Sequence, residues 1–430
     1  MIAMTGWRWC RGLRSSALEF LAFRRIALAL GGVSLCLLAS LGGASQRTTL
    51  RAPAKPVPAS FFGLHIHHLW QDTEWPDIPF ATWRLWDAHV TWALLEPRRD
   101  SYDFKLLDRY VEAAASHHVQ LMLTLASTPT WASARPTEIP VHEGGGRGAA
   151  GAAAEPASIT DWRNFIRTVA TRYKGRILYY EVWNEPMFKP FYSGSVSKMI
   201  ELVESAHRVL KEVDPNIEII SPPVDTSSAG LQWLAAFLDA NGGELVDIYG
   251  LHLYTPGPPE YMISRVEQVR TILQGHQQSQ KPIWNTEAGW QMKNRASAMG
   301  ANYVARAFLV AWPLGVERYY YYAWDNDAMG IMPRGENAGV ARAYTQVEKW
   351  MLGSTVRDLV GLPGNVWVEH LKLLDGREAE IAWTTGDSAT LSHEHVGAAT
   401  GYQTLDGRTL PIRPGSDLSL TGSPVLLLYP

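Results

Sequence analysis

Residues 176–186 read RILYYEVWNEP. Apolar and aromatic side chains dominate this stretch up to Trp183, which is typical of a buried β-strand. Pro186 lacks a backbone donor and therefore ends the hydrogen-bond ladder. The sequence predicts a strand that places one carboxylate, Glu185, at its carboxyl end.

Seven other stretches have the same strand-like character, and helical patterns separate most of them. In residues 103–118, for example, apolar residues recur at the spacing of one helix face. Eight strands that alternate with helices predict an α/β fold, a (β/α)8 TIM barrel. An open doubly wound sheet is the alternative, but its first strand usually leads into a glycine-rich loop, and here it leads into histidines. The other strands are predicted as FFGLHIH (61–67), ATWRLWD (81–87), VQLMLTLAS (119–127), IEIIS (217–221), VDIYGLHLY (246–254), KPIWNTE (281–287) and ERYYYYAW (317–324).

Two regions flank the barrel, which is predicted for residues 58–353. Residues 354–430 contain short alternating segments and two Asp-Gly turns, so they predict a small antiparallel β-sandwich domain, against which residues 46–57 are expected to lie. Residues 1–45 combine a basic start, an apolar run and a small-residue exit, as a signal peptide or signal anchor does. The protein is therefore expected to be secreted or periplasmic, and an uncleaved segment would attach it to the inner membrane.

Composition excludes several kinds of site. The formal net charge of −3 gives no basic surface for nucleic acid. Both cysteines, Cys10 and Cys36, precede the barrel, so the remainder cannot hold a disulfide or a thiolate metal site. The 18 Trp and 17 Tyr outnumber the 11 Phe, and their flat faces suit sugar rings as well as large cores.

A Gly/Ala-rich loop at 143–157 follows the third strand and is either an inert insertion or a flap beside a substrate.

A second carboxylate lies at the end of the seventh predicted strand. Residues 282–290 read PIWNTEAGW, and Glu287 precedes a turn of small residues. Strands four and seven face each other across an eight-stranded barrel, whose active groups lie at the strand carboxyl ends. Two carboxylates that face each other across a pocket, one protonated and one ionised, are what glycoside hydrolysis requires. No cofactor or metal is needed for that reaction, and the substrate would be a carbohydrate.

The chain resembles the clan A retaining glycoside hydrolases, which pair an Asn-Glu-Pro on strand four with a Glu on strand seven. It is most similar to glycoside hydrolase family 39 and to secreted endoglycosidases encoded with exopolysaccharide genes. The resemblance covers residues 60–350 and rests on FGLHIHH, WRLWDAHVTWALLEP, TPTWAS, YYEVWNEP, GLHLY and WNTEAGW.

The resemblance implies a role for several residues. Glu185 would be the general acid/base, Glu287 the nucleophile, and Asn184 a ligand of the sugar 2-hydroxyl. His252 and Tyr254 share a face of strand six, and the Tyr254 hydroxyl would hold the carboxylate of the nucleophile. Arg84 would lie beneath the nucleophile or would pair with the deeper Glu181. The candidate sugar platforms are Trp324, Trp131 and Trp290.

The histidines at 65–68 suggest a different chemistry. His65 and His67 share a strand face, as in barrel hydrolases that bind a metal through His-x-His. Later strands offer only His252 and Asp325 as partners, so the metal set is incomplete. His67 is therefore interpreted as a hydrogen-bond partner for a sugar hydroxyl, and His65 as a core residue.

The function predicted from the sequence is a retaining glycosidase that cleaves a bacterial exopolysaccharide internally. Exo-action on xylosides or uronides, and a non-catalytic protein that binds or assembles polysaccharide, remain as alternatives. The sequence identifies neither the glycan nor the oligomeric state.

Overall fold

The computed structural model describes residues 48–71, 73–139, 149–292, 297–333 and 338–430. The predicted signal segment at 1–45 lies outside these residues, as does the first part of the Gly/Ala-rich loop. Within the described part of the chain, no helix is both long enough and apolar enough to cross a membrane.

A parallel sheet closes into the predicted barrel. Its strands follow the order β6-β5-β4-β3-β2-β10-β9-β8-β7, and β6 and β7 are two parts of the fifth barrel strand. A bridge between Ile220 and Ile248, together with the pairing of β7 with β8, joins the two ends of the sheet. The strands are β2 (Phe62–Leu64), β3 (Thr82–Leu85), β4 (Gln120–Leu125), β5 (Tyr179–Val182), β6 (Glu218–Ile220), β7 (Val224–Asp225), β8 (Tyr249–His252), β9 (Ile283–Ala288) and β10 (Val316–Tyr321), with β1 (Thr49–Arg51) outside the barrel.

Helices cover the outside of the barrel because each presents an apolar stripe to the sheet. In α2, the residues Leu107, Tyr110, Val111 and Ala114 are buried at helical spacing, as predicted. Between β2 and β3 the described residues form no helix, so the first strand leads into an irregular segment. The helices are α1 (Trp92–Leu95), α2 (Lys105–Ser116), α3 (Ile159–Arg172), α4 (Val196–Val213), α5 (Ser228–Asp239), α6 (Met262–Gly275), α7 (Ser297–Ala311) and α8 (Ala338–Met351), with 3-10 turns at Ala59–Phe61, Gly242–Leu245 and Pro259–Tyr261.

The barrel interior is apolar at one level and polar at the next. Buried side chains from five strand regions form a separate cluster of Met122, Ile220, Ile248, Trp284 and Tyr320. Side chains two residues further along a strand point the same way, so Thr124 follows Met122 and Glu181 follows Tyr179 on the inner face. The apolar layer therefore closes the barrel beneath a polar layer that lies nearer the strand carboxyl ends.

The C-terminal region forms the predicted antiparallel β structure. One sheet has the order β1-β11-β12-β13-β18-β15-β16, and β14 pairs with β17 in a second. The pairing of β1 with β11 confirms that the segment before the barrel lies against this region. The elements are β11 (Thr355–Leu362), β12 (Val366–Lys372), β13 (Glu378–Thr384), β14 (Ala389–Leu391), α9 (His393–Val396), β15 (Gly401–Thr404), β16 (Thr409–Pro411), β17 (Leu418–Leu420) and β18 (Val425–Leu428).

The large sheet is buried on both faces. Leu359 and Ile381 belong to the same apolar core as the barrel helices, whereas Val368 and Ala382 pack with β14, β17 and α9 on the other face. The predicted boundary between residues 353 and 354 lies in the connection from α8 to β11. One apolar core spans this boundary. The boundary therefore marks a change from the barrel to the antiparallel sheet, and the two parts do not pack independently.

The described half of the Gly/Ala-rich loop packs on the segment that follows β4. Ala152 and Ala154 are buried, and the Thr128 hydroxyl donates to the carbonyl of Ala154. Arg135 forms two hydrogen bonds with the carboxylate of Glu155. Residues 149–157 are therefore fixed to the carboxyl-end face of the barrel, while the flap role stays a prediction.

Glu369 is a buried carboxyl group between the large sheet and the barrel. Its side chain is fully buried, and neither of its oxygens has a hydrogen-bond partner among the described residues. Burial, reinforced by the charge of Asp358, raises its pKa well above the usual 4.5. The group is therefore held in its neutral form in the folded protein.

Replacing Glu369 with Met is expected to raise the free energy of unfolding by about 1–3 kcal/mol, because an unpaired buried polar group is removed. The gain should grow as the pH rises above 4.5, since the unfolded wild-type chain then releases a proton that the folded chain retains. Urea unfolding across this pH range measures the difference. A gain that shrinks with rising pH would contradict the assignment.

Candidate active site

The segment after β5 holds Glu185 in an unusual backbone conformation. Trp183 and Glu185 have φ angles of 69° and 42°, in the left-handed region that bulky residues rarely adopt. The Trp183 backbone N–H donates to Leu125, and its indole N–H donates to the carbonyl of Phe191. These contacts fix the turn, and such strained backbone persists where the surroundings over-determine it, as at active sites.

Arg84 on β3 lies at the centre of the polar layer. Its guanidinium donates twice to Oε2 of Glu181, at 2.8 and 2.6 Å, and once to Oε2 of Glu287, at 2.7 Å. It also donates to the amide oxygen of Asn184 at 2.7 Å. The sequence left open whether Arg84 served Glu181 or the nucleophile candidate. Its fork-shaped group contacts both at once.

Glu287 on β9 is bound through both carboxylate oxygens. The Tyr254 hydroxyl donates to Oε1 at 2.8 Å, and Arg84 donates to Oε2. Burial, followed by the charge of Glu287, raises the pKa of Tyr254 well above its usual value, so the phenol remains a donor. The carboxylate of Glu287 therefore accepts one hydrogen bond from a cation and one from a hydroxyl group.

Glu185 and Glu287 approach each other with His252 between them. Nδ1 of His252 lies 2.8 Å from Oε1 of Glu185, and its Nε2 lies 3.9 Å from Oε2 of Glu287. One oxygen of each carboxylate and one nitrogen of His252 all lie within 4.8 Å of one another. The structure therefore brings together the two glutamates that the sequence selected.

Burial opposes a positive charge on His252, but the carboxylates of Glu287 and Glu185 outweigh it and raise the pKa of this histidine above 6.5. A protonated His252 donates a hydrogen bond to Glu185 and offsets part of the repulsion between the two carboxylates.

The His252→Asn variant is expected to lose stability mainly at low pH. A group whose pKa is raised on folding stabilises the protein below its unfolded pKa, here 6.5, and that contribution disappears as the pH rises through the folded value. Thermal unfolding between about pH 5 and 8 measures the difference between wild type and variant. His207→Asn is the matched control, because Nδ1 of His207 contacts the backbone carbonyl of Leu245 instead. A deficit that increases with pH would refute the interpretation.

The histidines of the first strand belong to this end of the barrel. Nε2 of His65 contacts the carbonyl of Thr286, next to Glu287. The ring of His67 lies 4.8 Å from that of Tyr322, and its Nε2 is buried with no hydrogen-bond partner in the described part of the chain. Both carboxylate oxygens of Asp325 accept from the backbone N–H groups of His67 and His68. Asp325 thus shapes the segment after β2.

The three tryptophans predicted as sugar platforms lie in different surroundings. Trp324 is buried, its backbone N–H donates to His65, and its indole N–H has no partner in the described structure. Trp290 is buried and donates to the carbonyl of Gly257, which ties together the segments after β9 and β8. Trp131 is half-buried, donates to the carbonyl of Glu96 and lies under Arg99. Of the three tryptophans, Trp324 lies nearest to His65 and His67 on the first strand.

Sequence reasoning missed two residues at the rim. The Tyr322 hydroxyl donates to Oδ2 of Asp87 at 2.8 Å, and both side chains are half-buried beside His67. Asp87 has a φ of 58° and lies two residues after the end of β3, the second barrel strand. A polar residue at a strand carboxyl end was the available signal, but Tyr322 was hidden in a run of four tyrosines.

Two side-chain groups in the described part of the chain have a geometry that could hold a metal ion, and neither includes His65 or His67. One is Glu185 with His252 and Glu287. Arg84 already lies against Glu287 there, and its charge opposes a second cation. The other group, in the C-terminal sheet, is His370 with Glu380 and His395.

A family model described as the glycosyl hydrolase catalytic core matches residues 158–337, and a β-galactosidase model matches residues 83–199. No curated protein matches the sequence.

Among solved structures, a family 39 glycoside hydrolase from Bacteroides cellulosilyticus WH2 aligns with a TM-score of 0.67 and 18% identity, over 88% of this chain and 81% of that one. A monomeric β-xylosidase from Caulobacter crescentus CB15 aligns with a TM-score of 0.61 and 17% identity, over 88% and 97%. A family 30 subfamily 8 xylanase from Clostridium acetobutylicum gives a TM-score of 0.61 and 16% identity, over 88% and 97%.

These identities show a shared fold, a barrel with a β domain, and the catalytic-core model covers the segment from α3 to just before α8, which contains both glutamates. The chain therefore has a glycosyl hydrolase catalytic core over residues 158–337 and the fold of the family 39 enzymes.

Proposed function

We propose that the protein is a retaining glycosidase that acts by double displacement, with Glu287 as the nucleophile and Glu185 as the general acid/base. The observation that carries this proposal is the approach of the two carboxylates, since one oxygen of Glu185 lies within 4.8 Å of one oxygen of Glu287. Retaining enzymes hold their carboxyl groups about 5–5.5 Å apart, whereas inverting enzymes separate them by about 6.5–9.5 Å to admit a water molecule. The spacing supports retention.

The surroundings of each carboxylate support the division of roles. Glu287 is held by Arg84 and Tyr254, which stabilise the anion that attacks the anomeric carbon. Among the described side chains only His252 contacts the carboxyl group of Glu185, and it does so at Oε1, so Oε2 is available to the leaving oxygen. Once Glu287 is esterified, Glu185 acts as the general base that activates water for the second displacement.

We further propose internal cleavage of a polysaccharide. Aromatic side chains lie at several strand carboxyl ends beyond the glutamate pair. The ring of Trp86, directly after β3, lies 6.3 Å from that of Phe191 in the segment after β5, and Trp324 follows β10. Aromatic rings placed after several barrel strands suit contacts with several sugar units in succession. An exopolysaccharide substrate agrees with a secreted or periplasmic enzyme, which we propose from the signal-like residues 1–45.

An activity screen on bacterial exopolysaccharides and aryl glycosides tests both levels of the proposal. Retention is tested by NMR of the first-formed product, in which the anomeric configuration of the substrate should be preserved. Internal cleavage should lower the viscosity of a polymer early and release oligosaccharides, whereas exo-action on xylosides or uronides would release monosaccharides. Inverted product would refute the double displacement, and monosaccharides alone would refute the endo-action. Binding to glycans without release of reducing ends would favour the polysaccharide-binding alternative.

A further inference from the structure

Three side chains with metal-binding donors converge on the outer face of the large C-terminal sheet. His370 on β12 is the cross-strand partner of Glu380 on β13, and His395 comes from the short helix α9. One donor atom from each residue lies within 4.8 Å of the other two. This group lies outside the barrel strands and takes no part in the chemistry derived above.

The orientation of His370 is fixed by a carboxylate. Its Nδ1 lies 2.5 Å from Oδ1 of Asp358, its partner on β11. That hydrogen bond selects the tautomer in which Nε2 carries the free lone pair, and it turns Nε2 toward Glu380. Metal-binding histidines usually have such a carboxylate on the second ring nitrogen.

The separations between the donor atoms do not match hydrogen bonds. Nε2 of His370 lies 3.6 Å from Oε1 of Glu380, and Nε2 of His395 lies 3.6 Å from Oε2 of Glu380. Hydrogen bonds to oxygen are about 2.7–3.2 Å long. Ligands about 2.0–2.2 Å from a tetrahedral zinc ion lie roughly 3.4 Å from one another. The gap therefore fits an ion better than a direct contact.

Two of the donor atoms are also buried without a partner. Oε2 of Glu380 and Nε2 of His395 are shielded from solvent and make no hydrogen bond in the described structure. A buried carboxylate oxygen and a buried imidazole nitrogen that face each other are costly to leave unsatisfied. An ion between them would satisfy both atoms.

We propose that His370, Glu380 and His395 bind a divalent transition-metal ion of the zinc class. Two imidazoles and one carboxylate suit such an ion rather than calcium or magnesium, which prefer oxygen ligands alone. The ion connects α9, in the connection between β14 and β15, to two central strands of the large sheet. Its role is to fix this connection, with a water molecule or the second oxygen of Glu380 completing the coordination.

Calorimetry with zinc chloride on the chelator-treated full-length protein tests the site. Wild type is expected to bind zinc at this site, whereas H395N and E380Q should bind at least 10-fold more weakly. Asp358→Asn is expected to weaken binding by about 10- to 100-fold, because it loosens the orientation of His370. Calcium should not compete.

His393→Asn is the matched control, since His393 lies on the same helix but is exposed and contacts Asp417. It should leave zinc binding unchanged, and so should Glu287→Gln, which separates this site from the barrel glutamates. Zinc should raise the melting temperature of wild type and H393N but not that of H395N. Zinc binding that is equal in wild type, H395N and E380Q, or absent from wild type, overturns the proposal.

Discussion

Glu287→Gln is expected to reduce glycosidase turnover by roughly 10⁴-fold or more, since removing an enzyme's nucleophile leaves only binding and acid catalysis. The substitution preserves the shape of the side chain. It also removes the charge that Arg84 and Tyr254 hold in place. Steady-state kinetics on the best substrate from the activity screen measures the loss, and a mechanism-based fluorosugar should label Glu287 in the wild type.

Glu348→Gln is the matched control, because Glu348 is also a buried glutamate but lies on helix α8. The turnover of the Glu348→Gln variant should match that of wild type within a few-fold. Labelling of another carboxylate by the fluorosugar, or full activity in Glu287→Gln, would refute the assignment of the nucleophile. If Glu287→Gln loses turnover but the wild-type product is inverted, Glu287 is still a catalytic residue, but the enzyme acts by single displacement and not by double displacement.

Arg84→Met is expected to lower the free energy of unfolding by about 3–5 kcal/mol, because removing one partner of a buried ion pair leaves an uncompensated charge. Arg84 and Glu181 are both fully buried, and Glu287 is nearly so. Two carboxylates would then face each other with no cation between them. Turnover per folded molecule should fall as well, since Glu287 and Asn184 both lose a donor.

A second buried ion pair separates the loss of stability from the loss of activity. Arg306 donates to both carboxylate oxygens of Glu260, and that pair lies apart from the two catalytic candidates. Arg306→Met should cost a comparable amount in urea unfolding but leave the turnover per folded molecule unchanged. If both variants retain turnover, Arg84 has a structural role alone. If Arg84→Met has the same free energy of unfolding as wild type, the buried ion pairs of Arg84 contribute less to stability than expected.

The barrel and its two glutamates were predictable because their signals are local. Each strand of a parallel barrel is a short apolar run, and the residue that follows it lies at the active face whatever the rest of the chain does. The segments YYEVWNEP and WNTEAGW therefore selected Glu185 and Glu287 without any knowledge of distances. The C-terminal antiparallel sheet followed from its Asp-Gly turns for the same reason.

Other features depended on distances that spacing along the chain does not contain. Arg84 was an either/or choice in the sequence, but in the structure one guanidinium contacts Glu181, Glu287 and Asn184 together. His252 was expected to line the site, and only the fold showed that it lies against Glu185. Since a side chain's partners come from strands far apart in the chain, no periodicity could have identified them.

By itself, the sequence determined the fold class and placed two glutamates at strand carboxyl ends, because hydrophobic periodicity and strand ends are properties of neighbouring residues. The tertiary structure decided how those carboxylates are held, which tryptophan lies beside the strand-one histidines, and where isolated polar residues meet. Asp358, His370, Glu380 and His395 show this most clearly, since they are unremarkable as separate residues. Only cross-strand pairing and the placement of α9 bring their donor atoms within reach of one ion.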